Sequence, residues 1–105
     1  MEKYQIIISE KATQMLISHA SFIAQVNSKA ALDFITEFES VAASLESMPH
    51  RSPWLRGEYI PKHTYRCIIF GKYYMLLYQV RDNIVYADYV IDTRQNYQWL
   101  LNEES

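Results

Sequence analysis

The stretch Tyr65-Arg66-Cys67-Ile68-Ile69-Phe70-Gly71-Lys72-Tyr73-Tyr74-Met75-Leu76-Leu77-Tyr78-Gln79-Val80-Arg81-Asp82-Asn83-Ile84-Val85-Tyr86-Ala87-Asp88-Tyr89-Val90-Ile91 decides the fold. Three runs in it, Tyr65–Phe70, Tyr73–Val80 and Ile84–Ile91, are rich in β-branched and aromatic residues, which suit the pleated surface of a sheet. Gly71-Lys72 and Arg81-Asp82-Asn83 separate them, and both lengths close antiparallel hairpins. The stretch reads as a three-stranded antiparallel meander.

A two-residue turn at Gly71-Lys72 sets Arg66 opposite Leu77, Ile68 opposite Met75 and Phe70 opposite Tyr73. A three-residue turn at 81–83 extends these rows to Ala87, Tyr89 and Ile91. One face then carries Arg66, Ile68, Phe70, Tyr73, Met75, Leu77, Val85, Ala87, Tyr89 and Ile91. The other carries Tyr65, Cys67, Ile69, Tyr74, Leu76, Tyr78, Tyr86, Asp88 and Val90. Both are mostly apolar, whereas an antiparallel sheet with one wet face alternates apolar and polar residues.

Upstream, Tyr4–Ile8 reads as a short strand covered on both faces, and Ser9 as a helix N-cap with Glu10 in the first turn. Ala12, Met15, Leu16, His19, Phe22 and Ile23 form one helical stripe, giving a helix over about Glu10 to Ala24. Asn27-Ser28 supplies a second cap. Ala31, Phe34, Ile35, Phe38, Val41, Ala42 and Leu45 then make a longer stripe that stops before Met48-Pro49. The short connection makes the two helices an antiparallel hairpin. Residues 50–62 read as a loop with a short edge strand near Glu58-Tyr59-Ile60. Arg94 to Leu101 fits two turns of helix.

The sequence therefore predicts one α+β domain over residues 1–105, ordered β-α-α-β-β-β with a short C-terminal helix, in which a mainly antiparallel sheet packs on a helical hairpin. A helix pair covers only one sheet face. The other must be covered by the C-terminal tail, by the 50–62 loop, by a second copy of the chain or by a different protein, because an open apolar patch of that size promotes aggregation. A protein-binding face including Ile68, Phe70, Met75 and Tyr89 is one reading; a tail that folds back so that Trp99, Leu100 and Leu101 fill the face is the other.

Composition narrows the chemistry. Ten Lys/Arg against twelve Asp/Glu give a net charge of −2, but the charge is unevenly spread. Residues 1–47 sum to −3 and 82–105 to −4, whereas 48–81 sum to +5 from Arg51, Arg56, Lys62, Arg66, Lys72 and Arg81 against Glu58. The apolar runs are far shorter than the roughly 20 residues of a membrane helix, and the N-terminus has no signal-peptide core. With Cys67 as the single cysteine, no internal disulfide forms, and cytoplasmic residence is the default.

Glycines at 57 and 71 alone leave no phosphate-binding glycine loop and no nucleophile elbow. His19 on the helical stripe reads as a hydrogen-bonded core or boundary histidine, and no metal-ligand spacing joins it to His50, His63 or Cys67. Neither a metal nor a cofactor is expected. Cys67, mid-strand among apolar neighbours, reads as a small inert core residue with a raised thiol pKa. What remains is a cationic group in which Arg66 and Arg94 converge, with Lys62, His63 and Arg56 nearby, suited to a phosphodiester or an acidic partner. The structural alternative pairs Arg66 with Asp88 or Glu58 and has Arg94 cap a strand end.

In this architecture the chain resembles the RelE/ParE family of toxins from bacterial type II toxin–antitoxin modules. The residues that carry the resemblance are Ser9-Glu10-Lys11-Ala12, Ala31 and Phe34, Leu45 through Pro49, Tyr65-Arg66, Tyr73, Leu77-Tyr78-Gln79-Val80 with Asp82, and Arg94-Gln95-Asn96. The resemblance implies a growth inhibitor, of the kind involved in plasmid stabilization, neutralised by a cognate antitoxin whose extended or helical segment wraps it. RelE-like members cut mRNA on the ribosome, whereas ParE-like members inhibit DNA gyrase.

A ribonuclease needs cations around the scissile phosphate. Arg66 and Arg94 fall on two basic positions of the RelE-like pattern, and Tyr97, with Lys62, is a further candidate. Ile68 and Met75 occupy two other positions where cations belong, and Asp92 adds a repelling carboxylate. These departures favour a ParE-like toxin acting by protein–protein binding, with Lys62, His63, Ile68, Phe70, Met75, Tyr89 and Trp99 as candidate binding residues. A RelE-like endoribonuclease using Arg66, Arg94 and Tyr97 is the alternative, and a non-toxic homodimerisation module sharing the fold is the third reading.

Overall fold

In the computed structural model, which describes residues 3–57 and 60–95, the chain runs β1 (Gln5–Ile8), α1 (Glu10–Ala24), α2 (Ser28–Ser44), β2 (Arg66–Phe70), β3 (Tyr74–Arg81) and β4 (Ile84–Asp92). The α+β order is the one the sequence predicts. The edge strand expected around Glu58-Tyr59 and the helical turns expected through Leu101 lie mainly outside the described residues.

Local chemistry sets the helix starts. The Ser9 hydroxyl accepts the Ala12 N–H at 2.9 Å, and the Asn27 side chain accepts that of Ala30 at 3.1 Å, each satisfying a donor that lacks an intrahelical partner. Along α2 the expected stripe buries Ala31, Phe34, Phe38 and Ala42, and Leu45 is buried just past its end. On α1 the stripe is narrower than expected. Ala12 is buried and Leu16, His19 and Ile23 are half-buried, whereas Phe22 is 66% exposed. One residue is a 100° step on a helix, so with Ile23 turned inward Phe22 sits at the margin of the stripe.

The sheet order is β1-β4-β3-β2, with β1 parallel to β4 and the other pairs antiparallel. This makes β1 an edge strand rather than one covered on both faces, and Ile7 and Ile8 are each 39% exposed.

The register differs from the sequence expectation at both turns. Phe70 pairs with Tyr74 and Arg66 with Tyr78, so the first loop has three residues, 71–73, and Tyr73 belongs to it. Gly71 at φ 56° and Lys72 at φ 72° both occupy the left-handed region, which leads the chain around that loop. At the second turn Arg81 pairs with Ile84, leaving only Asp82-Asn83 between the strands. A one-residue shift turns side chains to the opposite face, so Leu76 and Tyr78 point with Phe70 toward the helices while Met75 and Leu77 point away.

A bulge restores the parity of β4. Leu77 pairs with Tyr89 but Tyr78 with Ala87, making Asp88 the extra residue. Val85, Ala87 and Val90 thereby join the core under the helices, and Tyr89 and Ile91 join the far side. The far face is not left open. Leu55 and Ile60 of the 50–62 loop are 6% exposed each and pack in one cluster with Met75, Leu77, Tyr89 and Ile91. The loop, one of the covers expected from the sequence, supplies apolar side chains that no periodic pattern had marked.

Candidate functional site

Arg66 and Arg94, expected to converge, stand by opposite ends of β2. Arg66 pairs with Tyr78, whereas Arg94 follows Asp92, whose partner is Tyr74. Four residues of β3 separate those rows, about 13 Å along the strand. The two guanidinium groups share no partner.

Each arginine is engaged locally. Arg94 forms a two-point ion pair with Asp92, its Nε 3.0 Å from Oδ1 and one terminal nitrogen 2.8 Å from Oδ2. Its guanidinium also lies 4.4 Å from the centre of the Tyr73 ring. The hydrogen bond from Arg94 outweighs burial and holds the Asp92 carboxyl below its ordinary range. The Thr93 N–H and hydroxyl both donate to the Tyr73 carbonyl, at 2.7 and 2.6 Å, fastening the end of β4 to the 71–73 loop. This is a strand-end clamp, as the structural alternative for Arg94 has it.

Arg66 does a different job. Its Nη1 donates to the carbonyls of Ser52 at 2.7 Å and His50 at 3.2 Å, and the guanidinium lies 3.9 Å from the ring centre of Trp54. Trp54 forms an isolated antiparallel bridge with Arg66, the Leu55 N–H donates to the Tyr65 carbonyl, and the Cys67 N–H to that of Pro53. These bonds lay residues 53–55 along the outer edge of β2. The Tyr78 hydroxyl adds a buried bond to the Pro49 carbonyl at 2.7 Å. Among the described residues, neither Asp88 nor any other carboxylate forms an ion pair with Arg66.

A cleft of about 330 Å³ opens beside this clamp, lined by His50, Trp54, His63, Arg66, Gln79 and Arg81 among others, with no Asp or Glu in its wall among the described residues. Trp54 and His63 have their ring centres 5.3 Å apart. The same two residues border a second cleft of about 340 Å³ that includes Arg56 and Lys62. Arg56, Lys62, Arg66 and Arg81 of the basic middle of the chain therefore border clefts that share one tryptophan. His50, Trp54 and Arg81 were not among the candidates; an isolated Trp between prolines in a basic loop was the available signal.

Other candidates fall elsewhere. Lys62 and His63 are exposed. Phe70, Met75 and Tyr89 are 5%, 4% and 3% exposed, and Ile68 is half-buried against the helix-side core, so these four do not form an open binding face. Phe70 stacks with Phe34 in that core. Tyr97 and Trp99 lie outside the described residues. His19 donates its Nε2–H to the Val90 carbonyl at 2.9 Å, the boundary role expected of it. Burial raises the Cys67 thiol pKa. Burial also pushes the Asp88 carboxyl up against the opposing influence of Arg81 and Lys11. Among the described residues no three potential metal ligands come together, and no helix is long and apolar enough to cross a membrane.

Comparison with known proteins agrees with this architecture. Residues 6–97 match the family model described as the ParE toxin of the type II toxin–antitoxin system parDE. The fold is similar to a solved structure described as the chromosomal ParDE toxin–antitoxin system from P. aeruginosa, with a TM-score of 0.69 and 10% sequence identity, over 86% of this chain and 96% of that one. No curated protein matches the chain in sequence.

Proposed function

The chain belongs to the ParE family of toxins from type II toxin–antitoxin systems, and from that premise we propose that it inhibits growth by binding DNA gyrase, without cleaving RNA itself. The observation that carries this reading is the separation of Arg66 from Arg94. A ribonuclease of the RelE-like kind needs several cations on one phosphate. Here the rows of the two arginines are four residues of β3 apart, Arg94 is neutralised by Asp92, and the position of a third cation is filled by Met75, buried beneath the loop.

A cognate antitoxin neutralises the chain in this reading. The surface available to it differs from the sheet face expected from the sequence, because Leu55 and Ile60 fill that face. Exposed apolar side chains are instead found on the helical hairpin, where Ile17, Phe22, Val26 and Leu32 are 56–89% exposed. These suit an apolar segment of a partner protein.

Controlled expression in bacteria tests the proposal. Plasmid DNA loses negative supercoiling after induction while translated mRNA stays intact, and co-expression of the antitoxin restores growth. Early cuts in translated mRNA with plasmid topology unchanged would overturn it.

A further inference from the structure

We propose that the cleft beside Trp54 is a nucleotide-binding site, taking a phosphate ester between Arg81, His50 and His63 and the attached base against the Arg66–Trp54 stack. The inference is independent of the toxin's target and goes beyond it.

Four features carry it. The wall presents two guanidinium groups and two imidazoles and holds no carboxylate among the described residues, Asp88 acting on Arg81 from outside the cleft. Its volume, about 330 Å³, is at the scale of a small-molecule site. Arg66 is held in advance: its inner face rests on the Trp54 ring at 3.9 Å, and Nη1 is fixed by the carbonyls of Ser52 and His50. It therefore faces a ligand as a rigid planar cation with little freedom left to lose, and unpaired bases stack on arginine planes so supported. Finally, Arg81 and His63 are exposed, the polar groups of a rim rather than of a core. Arg81 is itself steadied by the Tyr86 ring, 4.7 Å from its guanidinium.

An acidic peptide would satisfy the cations alone, but it would not use the stack. A carboxylate chain has no ring to lay on Arg66, whereas a nucleotide engages both halves of the cleft. The shared chemistry is that of a nucleoside phosphate, free or within a single strand.

The test is an NMR titration of the full chain, following the Trp54 indole N–H and the Arg66 Nε–H. The ligands are adenosine 5′-monophosphate, a five-nucleotide oligoadenylate, inorganic phosphate and a glutamate-rich peptide. Both nucleotide ligands are expected to shift these signals saturably, with inorganic phosphate at least about tenfold weaker. Arg81→Ala and His63→Asn, neither of which removes a hydrogen bond of Arg66, each weaken nucleotide binding by about tenfold, the loss of one hydrogen bond to the phosphate. Asn suits the left-handed backbone at residue 63, where φ is 56°. Tighter binding of the oligonucleotide assigns the site to single strands, and equal binding assigns it to free nucleotides. The proposal is overturned if neither nucleotide saturates by about 5 mM, if both variants bind as well as the parent, or if only the glutamate-rich peptide binds.

Discussion

Arg66 lies 3.9 Å over the ring of Trp54 and donates to the carbonyls of His50 and Ser52, so the residue that looks most like a catalytic cation is the pin that fastens the 50–55 segment to the sheet edge. That segment continues into Leu55, one of the two side chains that seal the far sheet face. A charged side chain thus helps to hold the segment that closes an apolar face.

Arg66→Ala is accordingly expected to destabilise the fold by about 2–3 kcal/mol, since it leaves two carbonyls without a charged donor and removes a cation–π contact. Arg66→Lys recovers little of this, because an ammonium lacks the planar fork. Urea unfolding measures the loss, and limited proteolysis shows faster cutting within residues 50–57.

The Asp92–Arg94 pair gives stability a specific pH dependence. Asp92 has its folded pKa lowered, first by the Arg94 hydrogen bond. A group of this kind contributes stability that is fully present above the unfolded carboxylate value and is lost as pH falls through the folded one. Thermal unfolding from pH 7 to pH 2 is expected to show a smaller acid loss in Asp92→Asn than in the parent. The difference is modest, because the Arg94 side chain is 53% exposed and screened by water.

Two phenylalanines of the helical hairpin are expected to behave differently. Phe38, 3% exposed, packs in the helix-side core, and Phe38→Ala costs about 3–5 kcal/mol. Phe22, 66% exposed, loses less than about 0.5 kcal/mol on the same change. Denaturant melts separate the two, and Phe22→Ala then serves to test antitoxin binding without disturbing the fold.

The 71–73 loop supplies a further contrast. Gly71→Ala is expected to destabilise, since φ is 56°, a left-handed backbone that strains any residue with a Cβ. Lys72→Gly is expected to stabilise by about 0.5 kcal/mol, because φ 72° strains a side-chain residue more than glycine's entropy costs. The same melts report both signs.

These residues also mark where the sequence was legible. Helix starts were readable because capping is local: Ser9 and Asn27 act within three residues of themselves. Strand existence was readable from composition. Register was not, because it depended on two consecutive left-handed residues at 71 and 72 and on a bulge at Asp88, none of which changes the hydrophobic pattern. The cover of the far face was hidden for a related reason. Leu55 and Ile60 lie in a proline-rich stretch with no period, so only the folded chain shows that they pack on Met75 and Tyr89. At the candidate site the charges were legible but their placement was not: the offset rows of β3 alone put Arg66 and Arg94 apart.

In the proposed function the chain acts on gyrase by binding and has no phosphodiester chemistry of its own. A purified supercoiling assay tests it most directly, with the chain titrated into gyrase, ATP and relaxed plasmid, and a parallel translation reaction monitored for mRNA cuts. The account predicts dose-dependent loss of supercoiling with mRNA intact. Unchanged supercoiling together with mRNA cleavage that disappears in Arg94→Ala would contradict it.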